Sequence, residues 1–265
     1  FLASSYIQSP IGITVEGSNT LTRSLIIFGQ GLMRSHPYLF NMVDSIVEDN
    51  QKMFYENLRG LVKDSVKNTL LSLSPKLPGS DYKSELVRLS RSFALTSNMM
   101  LLMGKKFKTS EMLSGRLADI FGNIYLSYAL LWYHEKYCPK DSQTDKLLKY
   151  CLNSLMYDIQ EDFYEVSKNY PSALVGTYIA MTSFPYGRRF YKPSDEEKKE
   201  ISDLVTNPSG VFELLKENVY IPNEKEQLGK MIKAMNLIDK DRIDDIDTIV
   251  ALREEISQVN SFEKL

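Results

Sequence analysis

Residues 82–137 read YKSELVRLSRSFALTSNMMLLMGKKFKTSEMLSGRLADIFGNIYLSYALLWYHEKY, and their apolar spacing decides the fold. Leu86, Leu89, Phe93, Leu95, Met100 and Leu101 recur at helical intervals, and Gly104 with Lys105 and Lys106 closes the run with cations where a helix dipole favours them. Leu113, Leu117, Ile120, Phe121, Ile124, Tyr125, Tyr128, Leu131 and Trp132 make the partner stripe. Two such stripes predict a long antiparallel helical hairpin as the packing unit.

The same period extends outward in both directions. Leu21, Leu25, Ile26, Phe28, Leu32 and Met33 keep it until His36 and Pro37 end or bend the run, with Ser18 or Asn19 able to cap it. Residues 38–48 and 51–73 predict two more helices, the second with Phe54, Leu58, Leu61, Val62, Val66 and Leu70 on one face, before Pro75, Pro78 and Gly79 break the chain. Downstream, residues 144–168 are expected to turn Leu148, Leu152, Leu155, Met156, Ile159 and Phe163 inward, and residues 173–181 form a short apolar helix. Pro185, Gly187, Pro193, Pro208, Gly210 and Pro222 then leave only short pieces until a last helix over 239–256. Strand signals are nearly absent, so the expectation is an all-α helical bundle.

Composition narrows the function classes. The 265 residues carry 32 Lys+Arg against 34 Asp+Glu, a formal charge of -2, so no global basic field draws the protein onto nucleic acid. Cys138 and Cys151 are the two cysteines; they make neither a disulfide framework nor a zinc spacing. No apolar run reaches the roughly 20 residues that span a bilayer. The chain opens at Phe1 without a signal-peptide pattern and reads as a fragment.

Several residues invite a chemical reading. Asp239, Asp241, Asp244 and Asp245 lack the glycine a calcium loop requires, which favours a helix cap with a solvated acidic face. His36 and His134, the only histidines, lie far apart and support no metal site or triad. The basic and aromatic run from Gly187 to Lys192 reads as a local docking loop ahead of a phosphate or lipid contact. Arg116 and Asp119 interrupt an apolar helix and call for structural pairing with neighbours such as Arg88. Met99, Met100, Met103 and Met112 read as adaptable core filling, with an acyl-chain lining as the alternative. Glu16 stands between Val15 and Gly17 just before a helix; burial there would suit a base that takes a proton from carbon, although residue types alone do not single it out.

Residues 10–31, PIGITVEGSNTLTRSLIIFGQG, closely resemble the catalytic C-terminal stretch of acyl-CoA dehydrogenases, above all the long bacterial FadE type, and Arg34 to Tyr38 continue the likeness. It runs on through Arg88 to Leu95, Leu113 to Ile120, Phe184 to Arg188 and Pro193 to Asp195, which look like that type's helical extension. The resemblance implies two domains: residues 1–40 as the C-terminal end of the catalytic domain, and residues 41–265 as the helical extension. It implies Glu16 as the catalytic base and Gly17 as the substrate-adjacent glycine. It also implies Ser18, Asn19 and Thr20 as the turn that touches FAD, although Ser18 and Thr20 depart from the commoner residues there, and Arg23 as a basic position with a structural or cofactor role. The implied activity is FAD-dependent oxidation of medium- or long-chain acyl-CoA to trans-2-enoyl-CoA in fatty-acid β-oxidation, with FAD taking the β-hydride and electron-transfer flavoprotein taking the electrons. A homo-oligomer in the bacterial cytoplasm completes the expectation, and two roles compete for the extension: filling the position that a second dimer occupies in tetrameric relatives, or lying peripherally on the inner membrane, which vesicle flotation with and without residues 183–265 separates. A non-catalytic helical scaffold is the alternative, because most of a flavin site lies in other parts of such enzymes.

Overall fold

The computed structural model describes residues 31–73, 82–206 and 209–216, and the pairs 219–220, 222–223, 225–226 and 228–229. Its helices are α1 (Gly31–Ser35), α2 (Leu39–Val47), α3 (Gln51–Ser72), α4 (Tyr82–Leu101), α5 (Glu111–Tyr137), α6 (Ser142–Asn169), α7 (Ala173–Ser183), α8 (Asp195–Thr206) and α9 (Gly210–Lys216), with a 3-10 helix over Gly104–Thr109. No strand occurs among the described residues, and the chain is all-α. Described residues as far as Phe212 fall in one compact unit; those from Glu213 onward fall in a second, where Tyr220 donates to the Glu226 carboxylate at 2.9 Å.

Local signals set the helix ends. Asp141 caps α6, accepting from the backbone N–H groups of Gln143 at 2.9 Å and Thr144 at 2.8 Å. Asn50 caps α3 by accepting from Met53 N. Ser194 and Glu197 form a reciprocal capping box at the start of α8: Ser194 N donates to Glu197 Oε2 at 2.8 Å, and Glu197 N donates to Ser194 Oγ at 3.1 Å. Ser-x-x-Glu at 194–197 is the signal for this cap in the sequence.

The core sits where α4, α5, α6 and α7 meet. Leu86, Leu89, Leu117, Ile120, Met156, Ile159, Phe163 and Ile179 are almost fully buried there. Each contributes on the order of 1.5–3 kcal/mol through removal from water. Helix α7 approaches the end of α6 so closely that a Cβ on Gly176 would stand 2.3 Å from the Ser167 carbonyl oxygen. Only glycine fits that crossing without a shift.

Three expectations change. The chief partner of α5 is α6, reached through the short turn after Cys138, rather than α4. Phe121, Tyr125 and Trp132 face solvent, because a helix buries one stripe and these lie off the line of Leu113, Leu117, Ile120 and Ile124. The six apolar residues assigned to one face of α3 split in two: Phe54, Leu58 and Leu61 are half-buried, whereas Val62, Val66 and Leu70 are exposed. The expected helix over 239–256, with its aspartates, lies outside the described residues.

Candidate functional site

Glu16, Gly17, Ser18, Asn19, Thr20 and Arg23 lie outside the described residues. The described chain begins just after them, and its first polar assembly is at His36. Pro37 cannot continue α1, so the chain turns and His36 takes over as the cap of α2: its Nδ1 accepts from the backbone N–H groups of Tyr38 at 3.2 Å and Leu39 at 3.1 Å. A ring nitrogen that accepts twice carries no proton, so Nε2 does, and it donates to Asn98 Oδ1 at 2.9 Å. Asn98 in turn donates from Nδ2 to Ser65 Oγ at 3.0 Å. One relay therefore ties α1, α3 and α4 together.

Tyr38 extends it. Its hydroxyl donates to Asp64 Oδ2 at 2.8 Å, and this bond to a carboxylate holds the phenol above the usual tyrosine range. A Cβ at Gly60 would stand 2.4 Å from the Tyr38 ring, so the bare backbone of α3 is what admits that ring. Thr69 and Tyr178 meet oxygen to oxygen at 2.6 Å farther along α3. The side of α3 facing the bundle thus adds polar joints to its half-buried Phe54, Leu58 and Leu61: Asp64, Ser65 and Thr69 bond to Tyr38, Asn98 and Tyr178.

Beside the relay lies a cleft of about 370 Å³, walled by Leu32, Leu61, Phe93, Ala94 and Phe121 and edged by Ser97 and Asn98. Phe93 and Phe121 pack with ring centroids 5.8 Å apart. The buried Ser97 hydroxyl has no hydrogen-bond partner, while His36, Asn98, Asp64 and Tyr38 are occupied by one another. The arrangement positions helices and offers neither a nucleophile nor a free base. Among the described residues no group of three or more His, Cys, Asp or Glu can hold a metal ion.

Residues 33–246 match the family described as acyl-CoA dehydrogenase, C-terminal, bacterial type. The chain belongs to that family. No solved structure matches it. The match covers the His36 relay and the whole helical core, and begins after the Val15-Glu16-Gly17 segment.

Within this acyl-CoA dehydrogenase C-terminal region, the basic loop behaves as a docking loop. Gln160 accepts through Oε1 from Arg189 N at 2.7 Å and Phe190 N at 3.1 Å, and donates from Nε2 to the Phe190 carbonyl at 2.9 Å. Arg188 pairs with Glu161 and lies 4.8 Å from the Tyr164 ring centre; Arg189 lies over Tyr186 and Lys192 over Tyr157. Arg188 is held by both a carboxylate and a ring, whereas Arg189 and Lys192 are held by their stacking on rings.

Other assignments also resolve. Arg116 pairs with Glu165 at 3.5 Å, a structural pairing of the kind expected for it. Arg88 takes a bidentate grip on Glu85 and donates to the Thr182 and Ser183 carbonyls, capping the end of α7. Met100 is core, Met99 and Met103 pack against it, and Met112 is exposed. Burial raises the Cys138 and Cys151 thiols above their ordinary values, the opposite of what a reactive thiolate needs. His134 Nε2, itself buried, stands 3.2 Å from the exposed Asp145 carboxylate.

Proposed function

We propose that this chain is the C-terminal part of a FAD-dependent acyl-CoA dehydrogenase that oxidises medium- or long-chain acyl-CoA to trans-2-enoyl-CoA in fatty-acid β-oxidation. The supporting observation is continuity: the family match over residues 33–246 follows directly on the Val15-Glu16-Gly17 segment that resembles the catalytic motif. In this reading residues 1–40 end the catalytic domain and residues 41–265 extend it.

The α-carbon of a thioester is a weak acid, so its proton leaves only to an oriented base while the carbonyl is polarised by donors. Glu16 is that base, and Gly17 leaves room for the substrate beside it. The resemblance assigns the flavin contacts to Ser18, Asn19 and Thr20. FAD, when bound, supplies the hydride acceptor. Acyl-CoA and electron-transfer flavoprotein are the partners this chemistry asks for, and the setting is the bacterial cytoplasm.

Glu16→Gln in the flavin-loaded enzyme is expected to keep the oxidised flavin spectrum and lose bleaching by palmitoyl-CoA. Bleaching that survives the substitution overturns the assignment.

A second reading, a non-catalytic module for oligomerisation or membrane docking, draws support from α3, which leaves Val62, Val66 and Leu70 in solvent. No described helix is long and apolar enough to cross a membrane, so any such contact is made along a surface.

A further inference from the structure

Helix α3 leaves an apolar strip uncovered. Its bundle side carries the half-buried Phe54, Leu58 and Leu61 together with Asp64, Ser65 and Thr69, which hydrogen-bond to Tyr38, Asn98 and Tyr178. Its outer side exposes Tyr55 at 65%, Val62 and Val66 at 55% each, and Leu70 at 67%. Leaving these in water gains nothing for the isolated fold, and an apolar strip of this kind marks a contact surface.

A second strip accompanies the first. Arg59, Lys63 and Lys67 precede Val62, Val66 and Leu70 by three positions each, so every apolar residue has a cation one helical turn away. Lys52 joins this strip, and Glu56 is its one exposed acid. Lys52, Arg59, Lys63 and Lys67 make no ion pair among the described residues. Four unspent cations against one acid give the outer face a net charge of +3 (4 − 1) on a chain whose formal charge is -2.

We propose that the outer face of α3 lies on an anionic lipid surface, with Val62, Val66 and Leu70 entering the headgroup boundary and Arg59, Lys63 and Lys67 reaching lipid phosphates. The 22 residues of α3 give an uninterrupted contact about 33 Å long. Apolar and cationic strips repeat evenly along it, the pattern that suits a fluid, uniformly charged surface, and the aliphatic stems of Lys and Arg add apolar contact as their heads rise to the phosphates. A second copy of the chain is the poorer occupant, because self-pairing of this face sets the same unneutralised cations against one another. The proposal rests on the docking reading above and not on the catalytic one, and it moves the membrane contact from residues 183–265 to α3.

Flotation of the 265-residue chain with phosphatidylcholine vesicles, with and without phosphatidylglycerol, tests it. The chain is expected to float with the anionic vesicles, to stay behind with the neutral ones, and to be released by salt. Val62→Asp with Val66→Asp, and separately Lys63→Glu with Lys67→Glu, are expected to lower the bound fraction by at least about tenfold while leaving the melting temperature unchanged, since all four positions are exposed. Failure to float with anionic vesicles, or flotation that both double variants retain, overturns the proposal. So does light scattering that finds a dimer which Val62→Asp with Val66→Asp dissolves, because the occupant is then a second copy. Flotation needs no flavin and no turnover, so this outcome and that of the Glu16→Gln experiment are independent.

Discussion

His36 and Asn98, 62 positions apart, are joined by a 2.9 Å hydrogen bond from Nε2 to Oδ1 that fixes which ring nitrogen is left to cap α2. The joint connects the segment that follows the Glu16 motif to the buried helix α4. Its removal is therefore felt twice, at the cap and at the interhelical bond.

His36→Ala is expected to destabilise the chain by about 1–3 kcal/mol, from loss of the cap together with an unpaired Asn98 amide. Urea unfolding of His36→Ala, Asn98→Ala and the double variant checks this. If the pair acts as a unit, the double variant costs less than the two single losses added together.

Two glycines in helices are expected to respond in opposite senses. Gly176→Ala forces a Cβ to within 2.3 Å of the Ser167 carbonyl oxygen, and α7 must move away from α6 at a cost of about 1–3 kcal/mol. Gly122 in α5 has no atom within 4 Å of the same added carbon, so Gly122→Ala stabilises by about 0.5–1 kcal/mol through helix propensity. Thermal melts of the two variants should move in opposite directions.

Asp141 gives the fold a dependence on pH. The backbone N–H of Thr144, ahead of its other donors, holds the Asp141 carboxyl below the ordinary value of 3.8. A depressed folded value means that the unfolded chain takes up the proton first. Its stabilisation is therefore complete above the ordinary value and is lost as pH falls below it toward the folded one. Asp141→Asn keeps a capping oxygen but cannot titrate, so the variant's urea midpoint should fall less steeply than the wild type's over the acid side of that value.

Gln160 holds the loop at Arg189 and Phe190 with three hydrogen bonds, and Gln160→Leu leaves the corresponding backbone groups without partners. Opening of that loop should become easier by about 1–3 kcal/mol. Limited trypsin digestion reads this directly, as faster cleavage after Arg188 and Arg189 with the rest of the chain still folded.

Helix existence was legible because a 3.6-residue period survives any tertiary context. The segment expected over 144–168 forms α6 (Ser142–Asn169), and that expected over 173–181 forms α7 (Ala173–Ser183). Orientation was less legible. Periodicity reports that a face is apolar and says nothing of whether a neighbour covers it, so Val62, Val66 and Leu70 read as core although their helix is held from its other side. The hydrogen-bond partners of that side are Tyr38, just before α2, Asn98 of α4 and Tyr178 of α7. Arg88 shows the same limit: the sequence offered it as a pairing neighbour for Arg116 and Asp119, yet two of its acceptors are carbonyls of α7, which every residue type supplies alike.

The sequence by itself determined the all-α class, the helix positions and the likeness to acyl-CoA dehydrogenases around Glu16, because spacing and motif are properties of the chain read in order. Tertiary structure alone decided which nitrogen of His36 carries the proton, which side of α3 meets water and which cations remain unspent. Each of those depends on a donor, acceptor or charge brought in from a distant segment, and no local pattern records what a fold will set opposite a side chain.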